Sequence, residues 1–183
     1  MSDQKKQLTF LFQDSELVNQ PELVNPIECQ SEEPAILKVY IDGAARNNPG
    51  PSGSGICLMR GKTIVFEQGF FIGTRTNNQA EYLGLLVASY FVKEYAKHHE
   101  KIMLYSDSQL LVRQMTGVYK VRDPFLKKMQ FVAYELLQPY HVKYCHIYRE
   151  HNVRADLMAN RGIDKSIPLP KKFVDLMQHY EVL

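Results

Sequence analysis

The sequence predicts an α/β fold in which a mixed sheet is flanked by helices. Strand-like runs separated by turn residues come first after residue 34, and helical patterns then alternate with short apolar runs. Three strands followed by helix, strand, helix, strand and helix is an order typical of a sheet that mixes antiparallel and parallel neighbours. The chain has 183 residues, which is enough for one domain with a proper core and an appendage.

The first three elements are predicted to be strands. Residues 36–41 form a strand-like run that ends at Asp42, and the Gly, Pro and Asn residues within 43–51 predict a loop. Two further strands are expected at about 53–60 and 63–72, joined by a tight hairpin at Gly61-Lys62.

A long helix is predicted next, capped by Asn77 or Asn78 and running to about Ala96. Apolar residues occupy nearly the whole circumference of this helix, so we expect it to be central and buried. The later elements alternate between strand and helix, with Gly117 as a break. Their expected ranges are 101–105 (strand), 108–115 and 124–138 (helices), 141–148 (strand) and 152–162 (helix).

Both ends of the chain are expected to lie outside this domain. Residues 1–34 show weak apolar periodicity and carry a net charge of −5, whereas the remainder of the chain carries +7. We therefore expect a flexible acidic extension at 1–34, a folded domain at 35–165 and a tail at 166–183 that contains a short helix. The basic body suits an anionic partner.

Cysteine usage and hydropathy exclude several classes of protein. Cys29, Cys57 and Cys145 are widely spaced and form no C-x-x-C pair, which indicates reduced thiols rather than a disulfide framework or a zinc site. The apolar patch at 8–12 is too short for a signal peptide, and no run is long enough to span a membrane. The expected location is cytoplasmic.

Four acidic residues stand at the boundaries of predicted elements. Asp42 and Asp107 end strands, whereas Glu81 and Asp156 lie early in helices. Taken singly, each has a structural interpretation. These interpretations are a turn aspartate for Asp42, a capping box with Asn78 for Glu81, a helix N-cap for Asp107 and a solvated helix face for Asp156.

Taken together, the four acids predict a metal site. If the first and fourth strands are parallel neighbours, Asp42 and Asp107 lie at the sheet edge where ligands of α/β proteins bind. Crowded carboxylates are costly without a cation, and hard oxygen ligands suit Mg²⁺ or Mn²⁺ rather than zinc. Two such ions sharing one carboxylate serve displacement at a phosphodiester.

Four motifs in this order resemble the type 1 ribonuclease H family. They are Asp42-Gly43 with Asn48-Pro49-Gly50, Thr76 to Glu81, Ser106 to Gln109, and Arg149 to Asp156. The resemblance covers about residues 35–162. It implies a five-stranded mixed sheet and a metal-dependent endonuclease that cuts the RNA strand of RNA–DNA hybrids, leaving 5′-phosphate and 3′-hydroxyl ends.

The resemblance also implies the roles of individual residues toward two Mg²⁺ ions, with Mn²⁺ as an alternative. Asp42 would bridge both ions, Glu81 and Asp107 would hold the ion at the leaving oxygen, and Asp156 would hold the ion that activates water. The implied substrate-binding residues are Gly43, Asn48, Thr76, Asn77, Asn78 and Gln109. Amide side chains suit this task because they both donate and accept, and the 2′-hydroxyl distinguishes RNA from DNA.

The chain departs from the family pattern in two places. Many members carry a basic, Trp-containing protrusion, but this chain has residues 117–124 instead and no tryptophan. Lys and Arg residues there are either substitute phosphate contacts or a solvated basic face; they are Lys120, Arg122, Lys127 and Lys128. The family's mobile histidine has His151 as its nearby candidate, although a surface histidine at a helix start is the simpler interpretation. Arg149 or Arg154 could instead contact the scissile region.

Two further hypotheses concern partners. Residues Gln7–Phe12 resemble the short peptides by which bacterial replication proteins dock on the sliding clamp, although an apolar patch that folds back onto the domain is the favoured interpretation. The fold could instead serve a non-catalytic module that binds hybrids or double-stranded RNA, or a nuclease with broader duplex RNA specificity.

Overall fold

Residues 36–183, the part of the chain that the computed structural model describes, contain a five-stranded sheet with the strand order β3-β2-β1-β4-β5. The strands are β1 (Ile36–Ala45), β2 (Gly50–Arg60), β3 (Thr63–Arg75), β4 (Lys101–Ser106) and β5 (His141–His146). β1, β2 and β3 pair antiparallel, whereas β1 with β4 and β4 with β5 pair parallel. This arrangement confirms the predicted mixed sheet. The Gln7–Phe12 hypothesis lies outside the described residues.

Five α-helices accompany this sheet in the described part of the chain. They are α1 (Asn77–Tyr95), α2 (Gln109–Met115), α3 (Pro124–Leu137), α4 (Val153–Asp164) and α5 (Lys171–His179), with a 3₁₀ turn at Arg149–His151. None of the helices within residues 36–183 has the length and apolar character that crossing a bilayer requires.

α1 and α4 occupy opposite faces of the sheet. A Cβ at Gly43 would lie 2.2 Å from the Ala80 carbonyl carbon in α1. A Cβ at Gly55, whose register partner is Asp42, would lie 1.9 Å from the Ala155 oxygen in α4. Because successive strand residues point to opposite faces, the two helices must approach β1 from opposite sides.

The main core lies between the sheet and the helices α1, α3 and α5. α1 contributes nine side chains to this core, which confirms its predicted central position. The predicted short final helix is also present as α5, and its Phe173 and Met177 are fully buried in this core. The tail thus packs with the sheet-bearing domain. Cys57 and Cys145 are free thiols, the first of them buried.

The boundaries around the first loop differ from those predicted. β1 continues past Asp42 to Ala45, and β2 begins at Gly50, so only residues 46–49 connect the strands. The ladder persists because Gly43, Ala44 and Ala45 pair with Ser54, Gly53 and Ser52. The expected loop at 43–51 and the turn interpretation of Asp42 are therefore wrong, since a Gly-rich segment can continue in a strand when its partner is equally small.

The helix caps also differ from the sequence prediction. Thr76, not Asn77 or Asn78, is the N-cap of α1, and it forms a capping box with Gln79 rather than one involving Glu81. At α2 the cap is Ser108, whose Oγ accepts from the Leu111 backbone N–H, so Asp107 does not cap that helix. Glu81 and Asp107 therefore lose the capping roles that would have explained them structurally. β5 ends at His146 rather than at residue 148.

Glu100→Gln is expected to destabilise the protein by about 3 kcal/mol, the lower end for breaking a buried ion pair. Glu100 is 3% exposed and accepts from Arg60 Nε and Nη2 and from the Lys97 N–H at 2.7–2.8 Å. Although burial opposes ionisation, the Arg60 and Lys97 hydrogen bonds hold the pKa of Glu100 below its ordinary value. The stabilisation is therefore present near pH 7 and is lost as the pH falls through that lowered pKa.

Urea denaturation at neutral pH measures this loss, with Glu135→Gln on the exposed side of α3 as the control. A Glu100→Gln variant as stable as the control would contradict a stabilising pair.

Candidate active site

Asp42 and Asp107 lie side by side at one edge of the sheet. The last parallel pair between β1 and β4 joins Tyr40 to Tyr105, and each aspartate stands two residues beyond that pair on its own chain segment. Asp42 is 6% exposed, and Asp107 is partly buried directly after β4. The expected parallel neighbourhood of the two strands is confirmed.

Glu81 reaches this edge from the second turn of α1. The helix approaches closely because residue 43 is glycine: a Cβ there would lie 2.2 Å from the Glu81 nitrogen. Any larger residue would push the start of α1 away from β1. Gly43 therefore lets Glu81 stand beside Asp42, and its expected contact with substrate stays a prediction.

Oxygen atoms from Asp42, Glu81 and Asp107 lie within 4.8 Å of one another. Burial first, and then the charges of Asp107 and Asp156, raise the pKa of Asp42 to about 7. Burial, with Asp42 and Asp107, likewise raises the pKa of Glu81 well above its ordinary value. These three carboxylates form the acidic trio, and crowding makes their full ionisation costly.

The acidic trio fits a divalent cation. Glu81 is partly exposed as a residue, but its Oε2 is buried and has no hydrogen-bond partner among residues 36–183. A buried carboxylate oxygen without a donor is rare in folded proteins. Such an oxygen, next to two further carboxylates, provides the hard ligand set that Mg²⁺ and Mn²⁺ prefer.

Asp156, the fourth acid, stands apart from the trio in the first turn of α4. Its Oδ1 accepts from Arg149 Nη2 at 2.7 Å, and Asn160 Nδ2 lies 3.4 Å from its Oδ2. The structure therefore brings together three of the four predicted acids, and an arginine neutralises the remaining one. Its charge still reaches the trio, since Asp156 is among the causes of the raised pKa of Asp42.

A cleft of about 440 Å³ opens above the trio. It is lined by the trio together with polar and basic residues, among them Asn77, Arg46, Arg149 and Asn160. His151 faces a separate cleft beside Tyr40 and Met59, and it is exposed. Of the two auxiliary candidates, the structure thus places Arg149 at the acids and His151 away from them.

Of the expected substrate-binding side chains, Asn77 lines the cleft at this edge. Asn48 Oδ1 accepts from the Asn77 backbone N–H at 3.1 Å, which ties the β1–β2 loop to the start of α1. Asn78 and Gln109 are exposed on the first turns of α1 and α2. Thr76 is occupied as the cap of α1. Asn78 and Gln109 therefore lie at the starts of the helices that follow β3 and β4, and Asn48 lies in the loop that is tied to the start of α1.

No inserted helix separates α2 from α3, because α2 ends at Met115 and α3 begins at Pro124. Gly117 has a φ of 75° and turns the chain there. Arg113 lies over the Tyr119 ring, 5.0 Å from its centroid, and donates to the Tyr119 hydroxyl. The turn thus exposes Lys120 and Arg122 without a protrusion.

The comparisons with known proteins agree with this geometry. A family model described as reverse transcriptase-like matches residues 40–162. Ribonuclease H from Halorhodospira halophila is 30% identical over 154 residues, which cover 75% of this chain and 99% of that protein. The chain belongs to the type 1 ribonuclease H family.

Two solved type 1 ribonucleases H show the same fold. Ribonuclease HI from Halobacterium salinarum is 40% identical over 130 residues, and its crystal structure, with a TM-score of 0.67, is covered to 98% by 70% of this chain. LC11-RNase H1, isolated from compost, is 36% identical with a TM-score of 0.68, and 71% of this chain covers 98% of it. It was solved in complex with an RNA/DNA hybrid.

Some relatives are longer than the matched region. This family member spans 64% of the Halobacterium ribonuclease HI and 36% of a bifunctional protein from Mycobacterium tuberculosis. The ribonuclease H fold is what they share.

Sequence reasoning missed one residue of the site, Asn152, which lies between the trio and α4. It belongs to the motif that ends in Asp156, but its position before a helix favours interpretation as an ordinary cap. The signal that would have distinguished it, a side chain turned away from its own helix, is visible only in the structure.

Proposed function

We propose that this protein is a metal-dependent endonuclease that hydrolyses the RNA strand of RNA–DNA hybrids. The observation that carries the proposal is the convergence of oxygen atoms from Asp42, Glu81 and Asp107 within 4.8 Å, with one Glu81 oxygen buried and unpaired. A structural cluster of acids would instead be neutralised by basic residues or solvated. The catalytic domain is proposed to comprise residues 35–165, with α5 of the tail packed into its core.

The cofactor is proposed to be a pair of Mg²⁺ ions, with Mn²⁺ as a substitute, held by the trio and Asp156. When bound, such ions stabilise the charge of the attacking and leaving oxygens at a phosphodiester. Asp42, whose pKa is raised by burial and by the charges of both Asp107 and Asp156, is proposed to help hold both ions. Glu81 and Asp107 are proposed to hold the ion at the leaving side. Hydrolysis in this arrangement leaves 5′-phosphate and 3′-hydroxyl ends.

Asp156 is proposed to hold the ion on the attacking side, and Arg149 is proposed to pair with Asp156. The 2.7 Å ion pair neutralises Asp156 and ties its carboxylate to Arg149, which lines the cleft. The Arg149 side chain is 76% exposed, so it can also reach a phosphate without a large desolvation cost. Arg149 is therefore the better auxiliary candidate, and His151 is better explained as a surface residue.

The hybrid is proposed as substrate because amide groups flank the acids. Asn48, Asn78 and Gln109 are exposed beside the cleft and can each donate and accept, which suits contact with base edges and 2′-hydroxyls. The hybrid-bound structure of LC11-RNase H1, 36% identical, supports this choice. Lys120 and Arg122 remain candidates for phosphate contacts, with a solvated basic face as the alternative.

Cleavage of matched substrates tests the proposal. Labelled RNA–DNA hybrid, duplex RNA and duplex DNA of one sequence are incubated with the protein in Mg²⁺, in Mn²⁺ and in EDTA. The expected result is cutting of the hybrid RNA strand at internal positions, with 5′-phosphate ends, and no cutting in EDTA.

Other outcomes would contradict this function in distinguishable ways. Tight hybrid binding without cleavage in either metal indicates a non-catalytic module. Equal cleavage of hybrid and duplex RNA indicates a nuclease of broader specificity, and cleavage that persists in EDTA excludes the metal.

A further inference from the structure

Asn152 occupies the N-cap position of α4 but does not cap the helix. Asparagine at this position normally accepts from a backbone N–H of the first helical turn. Here its side chain makes no such bond, and the residue is 1% exposed. The local stabilisation that an N-cap offers is therefore forgone.

The Asn152 side chain instead bridges elements that carry the acids. Its Nδ2 donates to the Ile41 carbonyl at 2.9 Å and to Asp107 Oδ1 at 3.0 Å. Ile41 directly precedes Asp42 in β1, Asp107 follows β4, and Asn152 itself precedes the helix that carries Asp156. One amide group thus connects three of the segments that hold acidic residues.

The other end of the amide has no partner in the described part of the protein. Asn152 Oδ1 is buried there without a hydrogen bond. An unpaired buried acceptor is unfavourable, so the orientation must be fixed by what Nδ2 binds. A side chain that served only α4 would rotate its oxygen toward the free N–H groups of that helix.

We infer that Asn152 is a positioning residue that fixes the Asp107 carboxylate for binding the metal. The inference rests on the proposed function. By occupying Oδ1 of Asp107, the amide selects one carboxylate rotamer and leaves the second oxygen available to a cation. It donates and carries no charge, so it holds the carboxylate without neutralising it, as a lysine or arginine would. Groups that hold a metal ligand from behind typically change metal affinity by about 10- to 100-fold when removed.

The test measures Mn²⁺ binding by isothermal titration calorimetry without nucleic acid, using Asn152→Ala and Asn152→Asp. Tyr82→Phe is the matched control, because it removes one buried hydrogen bond, from the Tyr82 hydroxyl to Gln114, in which none of the acids takes part. Asn152→Ala is expected to weaken Mn²⁺ binding by about tenfold or more. Tyr82→Phe is expected to bind Mn²⁺ as the wild type does.

Asn152→Asp tests whether residue 152 acts by donating a hydrogen bond to Asp107 or only by filling space. Aspartate has the same shape and is an equally good N-cap, but it cannot donate and places a negative charge against Asp107. In EDTA its melting temperature is expected to fall below that of Asn152→Ala. In hybrid cleavage, Asn152→Ala is expected to lower kcat with little change in KM, and raising Mn²⁺ is expected to restore part of the rate.

Two results would overturn the inference. One is wild-type Mn²⁺ affinity in Asn152→Ala, and the other is an Asn152→Asp variant more stable than Asn152→Ala, which would indicate a cap or a space-filler. Because Mn²⁺ binding is measured without substrate, it distinguishes failure of this inference from absence of nuclease activity.

Discussion

Asp42→Asn is expected to abolish cleavage and, in the absence of divalent metal, to make the protein more stable. The substitution removes a carboxylate that is proposed to contact both ions. Metal charge stabilisation is worth several kcal/mol at the transition state, so kcat should fall by at least about 10²- to 10³-fold. Asparagine keeps the shape of the side chain, so the sheet edge should remain intact.

The stability gain follows from the raised pKa of Asp42, which is about 7 in the folded protein against an ordinary value of 3.8. Between these two values the folded state holds a proton that the unfolded chain has released. Stability therefore falls as the pH rises from about 4 to about 7, and the full penalty, on the order of a few kcal/mol, is present above that range. Asparagine removes this penalty.

Urea denaturation in EDTA at pH 5 and pH 8 measures the effect. The wild type should be less stable at pH 8, and most of its deficit relative to Asp42→Asn should disappear at pH 5. Adding Mn²⁺ at pH 8 should stabilise the wild type and leave the variant nearly unchanged. Asp175→Asn, the same change at an exposed position of α5, is the control and should retain activity.

Two outcomes would contradict this account. Cleavage by Asp42→Asn near the wild-type rate would remove Asp42 from the chemistry. A variant less stable than the wild type in EDTA at pH 8 would mean that the carboxylate is not under electrostatic strain in the fold.

The acids were predictable from sequence because their positions depend on the order of elements. A strand order that makes β1 and β4 parallel neighbours places Asp42 and Asp107 together whatever the loops do. The strand-like runs bounded by turn residues and the position of Gly117 likewise predicted strands and a helix break, because burial and backbone conformation depend on local residue type.

The rest could not be predicted because it depends on tertiary choices among similar residues. Thr76, Asn77 and Asn78 are all competent caps, and only the path of β3 to Arg75 decides for Thr76. Asp156 could face metal or arginine, and its pairing depends on the 3₁₀ turn that presents Arg149. Asn152 has the sequence pattern of a cap, and its diversion to Asp107 requires β4 to be adjacent.

Gly43→Ala is expected to disable the enzyme without touching any proposed ligand. The added Cβ would lie 2.2 Å from the Glu81 nitrogen and the Ala80 carbonyl carbon, which are backbone atoms that cannot rotate away. α1 would therefore have to move from β1 and carry Glu81 with it. A displacement of about 1 Å in a reacting constellation can cost about 10²-fold in rate, and we expect a loss of that order.

Its stability should fall as well, by about 1–3 kcal/mol as in other overpacked sites. Gly61→Ala provides the matched control, because Gly61 lies in the β2–β3 hairpin with open space around its Cβ. Its φ of +58° makes alanine unfavourable by about 1 kcal/mol without moving α1. The control should lose stability while it keeps wild-type kcat and Mn²⁺ affinity.

Comparing these two glycine variants distinguishes the effect of moving α1 away from β1 from the effect of lower protein stability. If Gly43→Ala loses activity and Mn²⁺ affinity while Gly61→Ala loses only stability, the helix-to-strand distance sets the metal site. If both keep wild-type kcat, the start of α1 can shift without consequence, and Glu81 does not need to stand beside Asp42. Gly43→Ala alters the arrangement of the three carboxylates and removes none of them. Wild-type kcat in this variant would therefore contradict the three-carboxylate site more directly than the behaviour of a variant that lacks one carboxylate.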